Sequence, residues 1–209
     1  MHNPVLVIAC GALAREMADL KRRYGWSHLR LRCLDAKLHN RPGEIPRRVR
    51  EAIHHGRAGH DRIFVAYADC GTGGGLDKVL EEEGVERLPG AHCYQFLAGS
   101  RLFSRLSEAE PGTFYLTDFL ARHFGRLVIE PLGLDDHPGL RDTYFGNYTR
   151  LVYLSQTLDA GLVAAARRAA DRLMLTFEHV HCGYGELESE LARRFSRWDD
   201  DQEDMRLLA

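Results

Sequence analysis

The stretch Arg62–Gly75, RIFVAYADCGTGGG, reads as a buried strand that ends in a thiol and then in a loop almost bare of side chains. The segment after it, LDKVLEEEG, places Leu76, Val79 and Leu80 on one face of a short helix stopped by Gly84. Strand, glycine loop and helix form one unit of a parallel sheet, and similar units lie on either side. Upstream, VLVIAC is a strand followed by a helix with Leu13, Met17, Leu20 and Tyr24 on one face. LRLRCL is a second strand, and IPRRVREAIHHG a helix that turns Ile45, Val49 and Ile53 inward. Downstream come a short strand near VERLPG, a helix from Tyr94 to Leu106, a helical stretch YLTDFLARHF and a strand RLVIEPLG. The last third gives a strand RLVYLSQ, a helix AGLVAAARRAADRLM, a strand TFEHVHC and a helix GELESELARRFSRW. This alternation predicts an α/β fold: a mostly parallel, Rossmann-like sheet with helices on both faces. The expected organisation is a single domain over 1–195 and an acidic C-terminal tail over 196–209.

With 44% hydrophobic residues, the 209-residue chain can bury a substantial core. A formal charge of -2 argues against a nucleic-acid binder, since neutralising phosphates needs a basic excess. The charge is uneven: thirteen Lys or Arg against six Asp or Glu between Arg15 and Arg62, then the acidic WDDDQED near the end. This reads as a solvated basic face or a docking surface for an acidic partner. No apolar run approaches a membrane span, and the N-terminus lacks a basic start and a small-residue cleavage site. A cytoplasmic protein without membrane association is expected. Five cysteines, an odd number in a chain too long to need disulfide staples, are expected to be reduced.

Cys10, Cys70 and Cys182 each stand at the end of a predicted strand, and Cys93 follows the turn LPGAH; Cys33 lies inside a strand. The carboxyl ends of parallel strands share one edge of the sheet, where ligands collect. Thiolate and imidazole are zinc ligands, and His92 precedes Cys93 as His181 precedes Cys182. Each cysteine taken singly can equally be a packed small hydrophobe. Gly183 and Gly185 give Cys182 a structural explanation as part of a tight bend. The other histidines, His39 among them, show no ligand spacing and read as surface or core residues. The loop Gly71, Thr72, Gly73, Gly74 fits neither a P-loop nor a dinucleotide fingerprint, yet its amides could cradle an anion before the next helix.

ACGALAREM, ADCGTGGGLD, HCYQFLAG, EPGTFYLTDFLARHF and YFGNYTRLVYLSQTLD together resemble the prokaryotic family catalogued as domain of unknown function 1638, from about Leu6 to Leu187. Members of that family accompany corrinoid-dependent methyltransferase systems. The resemblance implies that Cys10, Cys70, Cys93 and His92 are family positions, and that Glu16 and Gln156, also in family motifs, act near the same sheet edge. The resulting expectation is a zinc-thiolate protein of corrinoid-linked methyl transfer, a methyltransferase or its accessory subunit. Its small-molecule partner would be a methyl donor or a thiol acceptor such as homocysteine, whose carboxylate the glycine loop would hold. The chain has no Asp-x-His-x-x-Gly motif, so any corrinoid is expected on a partner protein. Two alternatives share parts of this evidence: a metal-binding maturation factor, and a small-molecule-binding regulatory module that uses the glycine loop.

Overall fold

The computed structural model describes residues 4–207, the side chains of Arg197 and 199–207 apart. Strand β1 (Val5–Cys10) is buried at every position. A 3-10 turn, Gly11–Leu13, leads from it into α1 (Ala14–Arg23), which buries Glu16, Met17 and Leu20. The chain then forms β2 (Leu29–Leu34), α2 (Ile45–Arg57), β3 (Arg62–Ala66), α3 (Gly75–Glu83) and the two-residue β4 (Glu86–Arg87). These strands make a parallel sheet in the order β2-β1-β3-β4. The chain winds one way from β1 to β2 and the other way from β3 to β4. The direction reverses between β1 and β3, and there the carboxyl ends of the strands open a crevice.

The rest of the chain builds a second sheet, so the strands do not join one continuous sheet. Helices α4 (Cys93–Ala98) and α5 (Ser100–Ala109) carry the chain to β5 (Thr113–Leu116), α6 (Asp118–Arg122) and α7 (Leu140–Phe145). They are followed by β6 (Arg150–Ser155), α8 (Ala160–Leu173) and β7 (Thr176–His181), with β5-β6-β7 parallel. The last helix, α9 (Gly185–Leu207), returns to the first sheet, where Leu187, Leu191 and Phe195 join the core around β1 and β3. The second sheet has a core of its own, in which Leu151 and Tyr153 meet Ala166, Ala169 and Leu173 of α8. The acidic tail expected at 196–209 runs into α9, and its acidic side chains lie outside the described residues.

Three local expectations change. The helix expected from Tyr94 to Leu106 is broken at Gly99, whose φ of +83° with ψ of 136° cannot continue a helix. Tyr115 and Leu116, the start of the expected helical stretch, belong to β5, and the helix begins only where Thr117 caps the amide of Leu120. RLVIEPLG is not a strand: Gly125–Ile129 forms a π-helical turn that buries Leu127, Val128 and Ile129. A run of β-branched and aliphatic residues buries equally well in either backbone, and its neighbours decide. Part of the basic excess between Arg15 and Arg62 is met by acids from elsewhere in the fold. Arg23 pairs with Glu188, Arg50 with Glu82 and Glu83, and Arg57 with Glu83. Among the described residues no helix is long and apolar enough to cross a membrane.

Candidate functional site

The crevice between β1 and β3 is where the thiols meet. Cys10 ends β1, and its sulfur accepts the amide of Ala12 at 3.3 Å, which starts the 3-10 turn. Cys70 does not end a strand. Strand β3 stops at Ala66, and Cys70 lies four residues on, in the left-handed region at φ 52°. A side chain there is uncommon and costs about 1–2 kcal/mol, so the surroundings must hold it. They do so through two backbone bonds, from Asp69 to the Gly90 carbonyl at 3.1 Å and from Cys70 to the Ala91 carbonyl at 2.8 Å. Arg87, paired with Asp77, also donates to the carbonyls of Leu88 and Gly90 and fixes the opposing loop. That loop ends at Cys93, the first residue of α4, so the same bonds bring the third thiol to Cys70.

An imidazole completes the cluster, and it is His39. The ring lies just after β2, with each of its nitrogens 3.9 Å from the Cys10 sulfur. Nδ1 is 3.1 Å from the Ala36 carbonyl, a placement that makes Nδ1 the donor and leaves Nε2 for the sulfurs. His92, expected beside Cys93, is instead the exposed residue before α4, its ring tilted against Tyr94. The sequence carried one signal for His39: it lies five residues past the end of β2, the strand next to β1.

The cluster sorts its protons. The hydrogen bond from the Cys93 thiol, opposed by burial and helped by His39, holds Cys70 down at about 5. That same bond and burial push Cys93 well above the ordinary thiol range. Burial alone would lower His39, but the sulfurs of Cys10 and Cys70 outweigh it and raise the ring to about 11. Without a metal, Cys70 is therefore a thiolate beside an imidazolium at neutral pH. Tyr67 is fully buried with its ring parallel to that of His39, and burial followed by the charges of Cys10 and Cys70 raises its phenol. Its hydroxyl faces these sulfurs without a well-formed hydrogen bond. Among the described residues, no three His, Cys, Asp or Glu side chains stand in ready-made metal-ligand geometry. All five cysteines are free; Cys33 is exposed on β2. Cys182 follows β7 on the second sheet, where burial raises its thiol to about 11.

These proton positions give a measurable expectation. A thiol reacts as its thiolate, so alkylation of Cys70 by iodoacetamide in metal-free protein should rise with pH around a midpoint near 5, against an ordinary 9.0. His39→Ala should move that midpoint upward. Peptide mapping after timed alkylation reads both.

The glycine loop is filled from within. The Asp69 carboxylate accepts the Thr72 hydroxyl at 2.5 Å and the amides of Gly73 at 3.2 Å and Gly74 at 3.0 Å. The Thr72 oxygen accepts the Leu76 amide in turn. Gly73 and Gly74 thus give their amides to Asp69 and not to an external anion, and the loop serves to present Cys70. Burial alone would raise the pKa of Asp69, but the bonds from Thr72, Gly74 and Gly73 hold it below the usual carboxylate range. Asp69→Ala should lower stability by about 1 kcal/mol, read from the urea midpoint, because the freed amides are open to water.

Beside the cluster lies a cavity of about 450 Å³, reached by Ala36, His39 and Cys93 on one side and by Thr117, Phe119 and Val128 on the other. The two expected catalytic residues do not line it. Gln156 locks the second sheet: its Oε1 accepts the Asp118 amide at 2.8 Å and its Nε2 donates to the Leu154 carbonyl at 2.7 Å. Glu16 is buried with one carboxyl oxygen lacking a partner, and burial followed by the nearby charge of Asp118 raises its pKa.

Comparison with known proteins adds a family. No curated protein matches the chain. A solved structure, the ornithine carbamoyltransferase from Pyrococcus furiosus, is similar at 14% identity and a TM-score of 0.29, over 86% of this chain and 55% of that one. The chain thus spans about half the length of that structure. Residues 33–191 match a family model, a span that includes His39, Cys70 and Cys93 and leaves Cys10 and Glu16 before it; the chain belongs to the family described as Protein of unknown function (DUF1638).

Proposed function

We propose that this is a cytoplasmic metal-thiolate protein that holds zinc at Cys10, Cys70, Cys93 and His39 and acts in corrinoid-linked methyl transfer, as the methyltransferase or its accessory subunit. One observation carries the reading: three thiols and a half-buried imidazole converge at the reversal point of a parallel sheet, and two of the four, Cys93 and His39, line the half-open cavity beside them. Three sulfurs and one ring nitrogen are a zinc ligand set. Zinc bonds of about 2.3 Å to sulfur and 2.0 Å to nitrogen set a tetrahedral S···N edge of about 3.5 Å. The Cys10 sulfur is 3.9 Å from both His39 nitrogens, so on binding zinc it would shift toward Nε2 and away from Nδ1. The Nδ1 contact with Ala36 is the outer-shell support that orients a ligating histidine. Zinc, when bound, keeps thiolates deprotonated at neutral pH.

The chain's own residues then divide the work. Ala91 and Gly90 hold Cys70 in place, and before a metal binds, His39 and the Cys93 thiol stabilise its negative charge. Cys93, which lines the cavity, places a sulfur where a methyl-bearing ligand would rest. A corrinoid belongs to a partner protein in this reading, which is supported by the company the family keeps.

A metal-free reading has support of its own, since the Cys70–His39 pair already makes a thiolate nucleophile without an ion. Zinc per chain, measured after anaerobic purification without chelator, separates the two readings. Methyl transfer from methylcobalamin to a thiol separates the enzyme from a maturation factor. Stoichiometric zinc with turnover supports the enzyme, zinc without turnover supports the maturation factor, and zinc-free native protein ends the metal reading.

A further inference from the structure

We infer that the cavity beside the thiol cluster takes an uncharged molecule with an apolar body the size of one aromatic ring and a single hydrogen-bonding end, and rejects carboxylates. The inference rests on the reading of that cavity as the substrate chamber of the thiolate centre. Its walls come from both halves of the fold: Tyr94 stands on α4, while Phe114, Phe119 and Phe145 belong to the second sheet and its helices. Aromatic faces on several sides suit a flat ring, and a volume of about 450 Å³ is at the small end for ligand pockets.

Charge decides the rest. No Asp, Glu, Lys or Arg is among the residues that line the cavity; its polar side chains are His39, Asn40, Cys93, Thr117 and the Tyr94 phenol. A carboxylate entering it would lose its water and find no Lys or Arg to pair with. Thr117 is 6% exposed, and its oxygen accepts the Leu120 amide, so its hydroxyl hydrogen is the one to donate to a ligand. The glycine loop offers a carboxylate no second site, since Asp69 holds the Gly73 and Gly74 amides. A carboxylated thiol such as homocysteine is therefore a poor match, and a neutral ring with one polar substituent a good one.

The test titrates the full chain by calorimetry with three probes that share one p-tolyl ring: p-cresol, p-toluate and 4-methylbenzylammonium. The expected result is p-cresol binding at least tenfold tighter than either ion. Phe119→Arg should reverse the order, weakening p-cresol tenfold or more and admitting p-toluate, with the melting temperature confirming a folded protein. Phe119→Ala should weaken p-cresol about fivefold without admitting p-toluate. The inference is overturned if either ion binds wild type as tightly as p-cresol, or if both Phe119 variants leave p-cresol binding unchanged. p-Cresol selectivity in a protein that proves zinc-free would leave this inference standing while the metal reading falls. Zinc-replete protein that prefers p-toluate would do the reverse.

Discussion

Cys70→Ser is expected to lower zinc affinity by orders of magnitude, leaving protein purified without added zinc essentially empty. A serine hydroxyl at that position stays protonated at neutral pH and is a far weaker zinc donor than a thiolate. Cys70 is also the member whose negative charge the cluster already favours, through the Cys93 thiol and His39. Its loss therefore removes the strongest donor and the partner that orients both neighbours. Cys33→Ser is the control: Cys33 is exposed on β2, and metal content should not change. Elemental analysis of both variants beside wild type checks the result. Full zinc in the Cys70→Ser protein would end the metal reading and leave the thiolate nucleophile in its place.

Asp118→Ala is expected to cost roughly 3–5 kcal/mol of stability, because several buried donors lose one shared acceptor. The carboxylate is 2% exposed and takes the Tyr153 hydroxyl at 2.6 Å and the Gln156 amide at 2.9 Å. It also accepts the amide and hydroxyl of Thr157 at 3.0 and 2.5 Å. The start of α6 is thereby tied to the end of β6, directly behind the Thr117 wall of the cavity. Asp118→Asn should recover about half of the loss, since its amide group turns a donor toward donors. Denaturant midpoints give the numbers. A loss under about 1 kcal/mol for the alanine variant would show that water reaches these groups and that the second sheet is looser than the structure describes.

The α/β class was legible before any coordinates because burial imposes a period that the sequence must obey. VLVIAC and the LVYL of β6 are continuous apolar runs, as strands covered on both faces require, and Leu13, Met17 and Leu20 repeat at helical spacing. The convergence of Cys10, Cys70 and Cys93 was legible only in part: the carboxyl ends of parallel strands share an edge, but Cys10 alone ends a strand, while Cys70 lies four residues past β3 and Cys93 opens α4. RLVI was not legible, since its composition suits a strand and a buried π-turn alike, and packing against α8 and the cavity chose between them.

The sequence by itself determined the chemistry available to this protein: free thiols, a glycine loop able to place a cysteine at positive φ, and parallel strands with helices between them. Tertiary structure decided which groups meet. It put the strands into two sheets, with the reversal point in the first, and it chose His39 over His92, because an imidazole past the end of β2 reaches the β1 thiol while one before α4 faces solvent. It turned the glycine loop inward onto Asp69 and gave Gln156 to the second sheet's framework. Each of these outcomes depends on distances between residues far apart in the chain. Periodicity and spacing describe neighbours along the chain, whereas contacts across the crevice are fixed only when both sheets and their connecting helices have packed.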